Sequence, residues 1–141
     1  MINDGLKMTG AVAIALNGEV VQEIPNLVVT AGKNFVASRM KDTTKAAMTH
    51  MAIGTNNTTA AVTQTALSAE VTRGALTSTT VSTNTIAYVE TFAAGTGTGA
   101  IVEAGVFNAS SGGTMLCRTV FAVVNKGSAD AMTITWTITV S

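Results

Sequence analysis

The side chains that can do chemistry in this chain are few and scattered. His50 is the single histidine and Cys117 the single cysteine. A nucleophile–histidine–carboxylate relay would have one base to draw on, and the residues around His50 supply no flanking motif for it; the reading is a structural histidine beside a strand. Cys117 lies among apolar residues with no neighbouring base, the setting of a buried, unreactive thiol. One histidine and one cysteine cannot close a zinc site, and the carboxylates Asp4, Glu19, Glu23, Asp42, Glu70, Glu90, Glu103 and Asp130 come singly. Glu90 and Glu103 would make a glycosidase-like pair only if a hairpin about Gly97 set them on neighbouring strands. The oxygen-rich residues 55–63 are the stretch that would suit a calcium ion. Gly95, Gly97 and Gly99 are read as a turn, because they lead into a β run rather than a helix and no lysine follows. No catalytic residue, metal or cofactor is assigned, and the chain is expected not to be an enzyme.

Half of the basic residues, Lys33, Arg39, Lys41 and Lys45, cluster on or just after the one helix that the sequence predicts. They read as a solvated face with cations near the negative end of the helix dipole, or as contacts for an acidic partner. Elsewhere charge is scarce. Charged residues make up 11% of the 141, with a formal net charge of zero, against about 25% charged in ordinary soluble domains. Thr, Ser, Asn and Gly fill the polar positions instead. This balance gives no electrostatic footprint for nucleic acid or an anionic membrane, and it favours association. No apolar run is long enough to span a bilayer, and the opening residues, with Asp4 and Lys7, lack a signal-peptide core. A lone cysteine implies no disulfide framework, so the expected site of synthesis is a cytoplasm.

The elements that must position these residues are mostly strands. Residues 131–141 alternate throughout, with Met132, Ile134, Trp136, Ile138 and Val140 on one face and Thr133, Thr135, Thr137 and Thr139 on the other. That period of two specifies a strand with one buried face. Its threonine face is flat and uncharged, so it is expected to meet a partner. Residues 10–24 read as a hairpin about Asn17-Gly18, with an alanine face opposite a Val/Ile/Leu face. Thr30 is placed as the N-cap of a helix over residues 31–41. Strands are expected at 48–54, 71–80, 82–92, 100–107 and 115–124, with one helical turn at 66–70. The fold class is mainly β, an antiparallel β-sandwich, jelly-roll-like, with one short helix near residues 31–41. Residues 10–141 form a single domain, and residues 1–9 are read as an N-terminal arm.

Four segments carry a resemblance: Asn26-Leu-Val-Val-Thr-Ala-Gly-Lys-Asn34, Met48-Thr-His-Met-Ala-Ile-Gly-Thr55, Glu103-Ala-Gly-Val-Phe-Asn108 and Gly112-Gly-Thr-Met-Leu-Cys-Arg-Thr119. Over residues 10–141 the chain resembles small virion proteins of short-tailed phages, the capsid cement or decoration proteins, and related tail and fibre modules. The resemblance implies a jelly-roll-like fold, no catalysis and a place on the outer capsid surface of a virion, after synthesis in the host cytoplasm. It implies as partners the major capsid protein and a second copy of the chain, as a homodimer. The alternative is a tail fibre or head-knob module for host attachment, which would be a trimer. A lectin-like sandwich is disfavoured, since Trp136 and Tyr88 are the sole Trp and Tyr available to stack on sugars.

Overall fold

The computed structural model describes residues 5–41 and 45–141. β1 (Met8–Leu16) and β2 (Glu19–Pro25) form the expected hairpin, with Asn17 and Gly18 both at positive φ, 52° and 84°. β3 (Leu27–Val28) leads into α1 (Thr30–Arg39), and β4 (His50–Gly54) follows. The remaining strands are β5 (Glu70–Ala75), β6 (Ser78–Ser82), β7 (Thr85–Phe92), β8 (Gly99–Phe107), β9 (Met115–Lys126) and β10 (Met132–Val140). They make two five-stranded antiparallel sheets, ordered β2-β1-β10-β7-β6 and β3-β9-β8-β4-β5. Long-range pairing is nested: β1 takes β10, β3 takes β9 and β4 takes β8.

The core lies where alternation directs it, between the sheets. Val12, Ile14, Tyr88, Phe92, Met132, Ile134, Trp136 and Ile138 of the first sheet pack against Met51, Ile53, Ile101, Val106, Leu116, Phe121 and Val124 of the second. Trp136, at 0% exposure, is the largest fully buried side chain. A smaller cluster of Val29, Ala52, Leu67, Phe107 and Met115 packs separately. This gives the second sheet apolar contacts on both faces. α1 sits directly on β9: a Cβ at Gly32 would run into the Leu116 carbonyl, so glycine is required for this approach.

Several local expectations are corrected. The residue at the helix N-cap is Val29, without a side-chain cap, and Thr30 is the first helical residue. The ladder of β3 runs straight into the helix, with the Val29 N–H bonded to the Leu116 carbonyl, and the Thr30 N–H is satisfied by the Val62 carbonyl (2.8 Å). No helical turn forms at 66–70, because the Ser68 and Ala69 amides turn to a carboxylate instead. The run 71–80 is two strands in different sheets. Leu76 donates to Thr49 beside β4, whereas Thr77 donates to Val89 of β7, so the crossing falls between them. Lys7 exchanges backbone hydrogen bonds with Ser141, and Met8 and Thr9 belong to β1. Of the expected arm over 1–9, Met8 and Thr9 are thus strand, Lys7 is tied to Ser141, and residues 1–4 lie outside the described residues.

Trp136→Ala should lower unfolding free energy by about 3–5 kcal/mol in urea titration, the usual cost of emptying a fully packed aromatic site. Thr135→Ala, one residue along on the opposite face, should change it by about 0.5 kcal/mol or less.

Candidate docking face

Register decides which side chains share a face, since partners directly opposite in an antiparallel ladder point the same way. On the outer side of the first sheet, one row across the strands reads Pro25, Ala11, Thr137, Ala87, Thr80. The next reads Glu23, Ala13, Thr135, Val89, Ser78. Flanking rows hold Thr9, Thr139, Thr85 and Ser82 on one side and Ala15, Thr133 and Thr91 on the other. These side chains are half-buried by their lateral neighbours or exposed. The threonines satisfy one another in part, with the Thr91 and Thr133 hydroxyls 2.9 Å apart. A shallow groove of about 290 Å³ runs over Ala11 and Ala13 between Thr135, Thr137 and Glu23. At the spacings of a pleated sheet each outward residue covers roughly 30 Å², so the face spans about 500 Å². Glu23 is the one charge in these rows.

The second sheet presents no such face. α1 packs on β9, and residues 55–69 are fastened over β8 and β9 by a buried ion pair. Glu103 and Arg118, both at 0% side-chain exposure, meet at 3.0 Å. The Glu103 carboxylate also accepts the backbone N–H groups of Asn56, Ser68 and Ala69 (2.9–3.0 Å). The Arg118 guanidinium donates to the Thr58 and Asn56 carbonyls and to Gln64 Oε1. Two carbonyls of the oxygen-rich stretch 55–63, those of Asn56 and Thr58, thus serve a guanidinium. A cleft of about 370 Å³ beside β3 borders Arg118, but that guanidinium is committed to the loop.

The remaining sequence candidates fall in separate places. Thr133, Thr135, Thr137 and Thr139 share the outer face of the first sheet. Lys33, Arg39, Lys41 and Lys45 are exposed on and after α1, on the side of the second sheet, and Arg39 donates to the Lys45 carbonyl (2.8 Å). The two groups do not form one site. Glu90 and Glu103 are not paired either, because β7 and β8 belong to different sheets. His50 lies at the start of β4, its Nδ1 2.8 Å from the Thr49 hydroxyl. Cys117 is fully buried, and burial pushes its thiol pKa far up.

Sequence reasoning missed the buried charges. The signal for the ion pair was present: β8 carries one charge, Glu103, and the largely apolar stretch 115–124 of β9 carries one of opposite sign, Arg118. The pairing of Gly105 with Arg118 and of Glu103 with Val120 makes the two diagonal neighbours. Arg73 pairs with Glu70 (2.7 Å), stacks 3.7 Å over the Phe107 ring and donates to the Ala109 and Gly112 carbonyls. Lys126 is buried and donates to the Ala93 carbonyl at 2.9 Å. Glu90 is buried on the inner face, where Thr91 N–H and the Thr77 hydroxyl serve Oε1 while Oε2 has no partner among the described residues. Burial raises its pKa above the ordinary 4.5, and the Thr91 and Thr77 hydrogen bonds and the His50 charge only partly oppose this.

Arg118→Met should destabilise the fold by about 3–5 kcal/mol, as expected when one member of a buried pair is left alone. Amide hydrogen exchange should show the largest loss of protection over residues 55–69. For Glu90 the folded pKa lies above the unfolded one, so the folded state holds the proton more tightly, and stability falls as pH rises from about 4.5 through the raised value. Glu90→Gln should flatten that part of a urea-midpoint profile across this range; an unchanged slope would rule Glu90 out as its source.

No family model matches the chain, and neither the curated proteins nor the solved structures contain a significant match to it.

Proposed function

We propose that the protein is a structural component of a phage virion, a capsid cement or decoration protein that docks on the outer capsid surface against the major capsid protein and stabilises the shell. The observation that carries this reading is the outer face of the first sheet: five strands wide, nearly uncharged and built of Ala, Thr, Ser and Val. Such a face fits a flat protein surface better than a small molecule, which needs a concave and enclosed site. Its area of about 500 Å² falls short of the roughly 800 Å² that each partner gives to a standard interface. That suits a protein bound in many copies to a repeating lattice, where each copy adds a modest contact. The nested strand pairing supports the jelly-roll-like description that accompanies this reading. The segments that resemble phage virion proteins supply framework here: Glu103 and Arg118 fasten the 55–69 loop, and Gly32 seats α1.

Thr135→Lys with Thr137→Lys tests the reading. The double variant should keep the wild-type circular dichroism and melting profile, since both positions point away from the core. In co-sedimentation with expanded, empty shells of the phage that encodes the chain, wild type should bind saturably and the variant at least tenfold more weakly. A stable trimer that ignores shells would overturn the cement reading in favour of a tail fibre or head-knob module.

A further inference from the structure

An open strand edge is a template for another strand, and sandwiches guard their edges with charge, proline, bulges or very short strands. The edges here are β2 and β6 in the first sheet and β3 and β5 in the second. β2 carries Glu19, Glu23 and Pro25, and its register against β1 is broken. β3 is two residues long, and beyond it the flank of β9 has a register shift opposite Ile101 and Glu103, with the Gln22 amide bonded to the Ala122 carbonyl. β5 carries Glu70 and Arg73 and has a register break at Gly54. β6 has none of these devices. It reads Ser-Thr-Thr-Val-Ser, pairs with β7 without a break, and is exposed along its whole length, with Val81 at 70%.

We propose that β6 pairs antiparallel with the same strand of a second copy of this chain, about a two-fold axis at Thr80. The two-residue connection at Thr83 and Asn84 makes Ser82 and Thr85 a hydrogen-bonded pair. Alternation along the ladder then turns the backbone groups of Thr80 and Ser78 towards β7 as well. The N–H and C=O groups of Thr79 and Val81 are left pointing outward. A register centred on Thr80 sets Thr79 against the partner's Val81 and Val81 against the partner's Thr79, so every outward group finds a complement. Ser78 meets the partner's Ser82, and Thr80 meets the partner's Thr80 as the close, non-hydrogen-bonded pair. Ser-Thr-Thr-Val-Ser matches itself when reversed, because Thr and Val have nearly the same shape, and the ladder itself contains no charged residue.

The pairing also covers Val81, which borders an apolar hollow of about 360 Å³ with Ile86, Ile138 and Val140. A five-residue ladder buries less than the roughly 800 Å² per partner of a standard interface, so the dimer is concentration-dependent. Its consequence is a ten-stranded sheet in which two Ala/Thr faces become one platform of about 1,000 Å².

Thr79→Pro removes an outward N–H and none of the bonds to β7. Thr80→Cys places two thiols across the close pair, within the 4.4–6.8 Å Cα separation that a disulfide spans. Thr137→Cys, on central β10, is the control. Sedimentation velocity from micromolar to millimolar should show a monomer–dimer equilibrium for the wild type, with T79P needing at least tenfold higher concentration to associate. Under mild oxidation T80C should form a covalent dimer and T137C should not. If T79P does not fold, the cross-linking comparison decides alone. A wild type that stays monomeric while T80C fails to cross-link overturns the proposal. So does a dimer that T79P leaves intact, or equal cross-linking of T137C.

Discussion

Burying a carboxylate and a guanidinium costs several kcal/mol per ion in lost hydration, and mutual attraction offsets this only when their remaining hydrogen-bonding capacity is met. Glu103 and Arg118 meet that condition by drawing a loop over themselves. The carboxylate takes three backbone amides and the guanidinium takes two carbonyls and a glutamine oxygen, all from residues 56–69. Each ion is solvated by the chain instead of by water. The loop in turn brings Leu67 onto the second cluster beside Ala52, Phe107 and Met115, and its Val62 carbonyl receives the first amide of α1. Much of what covers the second sheet therefore follows from one ion pair. The first sheet carries no such pair, and its outer face stays open. The asymmetry between the two sheets, which the functional reading rests on, begins with two residues on neighbouring strands.

What could be read in advance was what depends on local spacing. The alternation in 132–140 assigned each side chain to its face, and Asn17-Gly18 placed the first turn, because both signals reside in consecutive residues. Local spacing does not show sheet membership. The run 71–80 looks continuous, since nothing in Leu76-Thr77 marks the point where backbone bonding passes from Thr49 to Val89. For the same reason Glu90 and Glu103 seemed able to meet, although their strands lie in different sheets. The outer face of the first sheet was half legible. The threonines of β10 and the alanines of β1 were each visible as a uniform face, but their placement as adjacent rows depends on the pairing of the first strand with the last.

The two charge-poor features of the surface differ in physical character. The edge of β6 offers unpaired backbone groups, which are directional and demand a partner strand in one register. The outer face offers methyl and hydroxyl groups, which are weakly directional and accept many flat surfaces. The two features therefore select partners by different rules, the edge by register and the face by shape. Charge placement fits this division: in the first sheet the edge charges Glu19 and Glu23 stand on β2, at the opposite edge from β6.

Threonine is well suited to a face that must remain soluble before docking and lose its water afterwards. A lysine or glutamate there would keep a free monomer soluble but would oppose docking, because dehydrating an unpaired charge costs far more than dehydrating a hydroxyl. Leucine or phenylalanine would dock strongly but would leave a large apolar patch exposed during synthesis. A threonine hydroxyl bonds to water while the face is free. When water is excluded it turns to a neighbour, as Thr91 and Thr133 already do at 2.9 Å, while its methyl supplies apolar area. Alanine between the threonine rows keeps the surface low enough for another backbone to approach. A face of this composition therefore pays little for losing its water and exposes little apolar area while free.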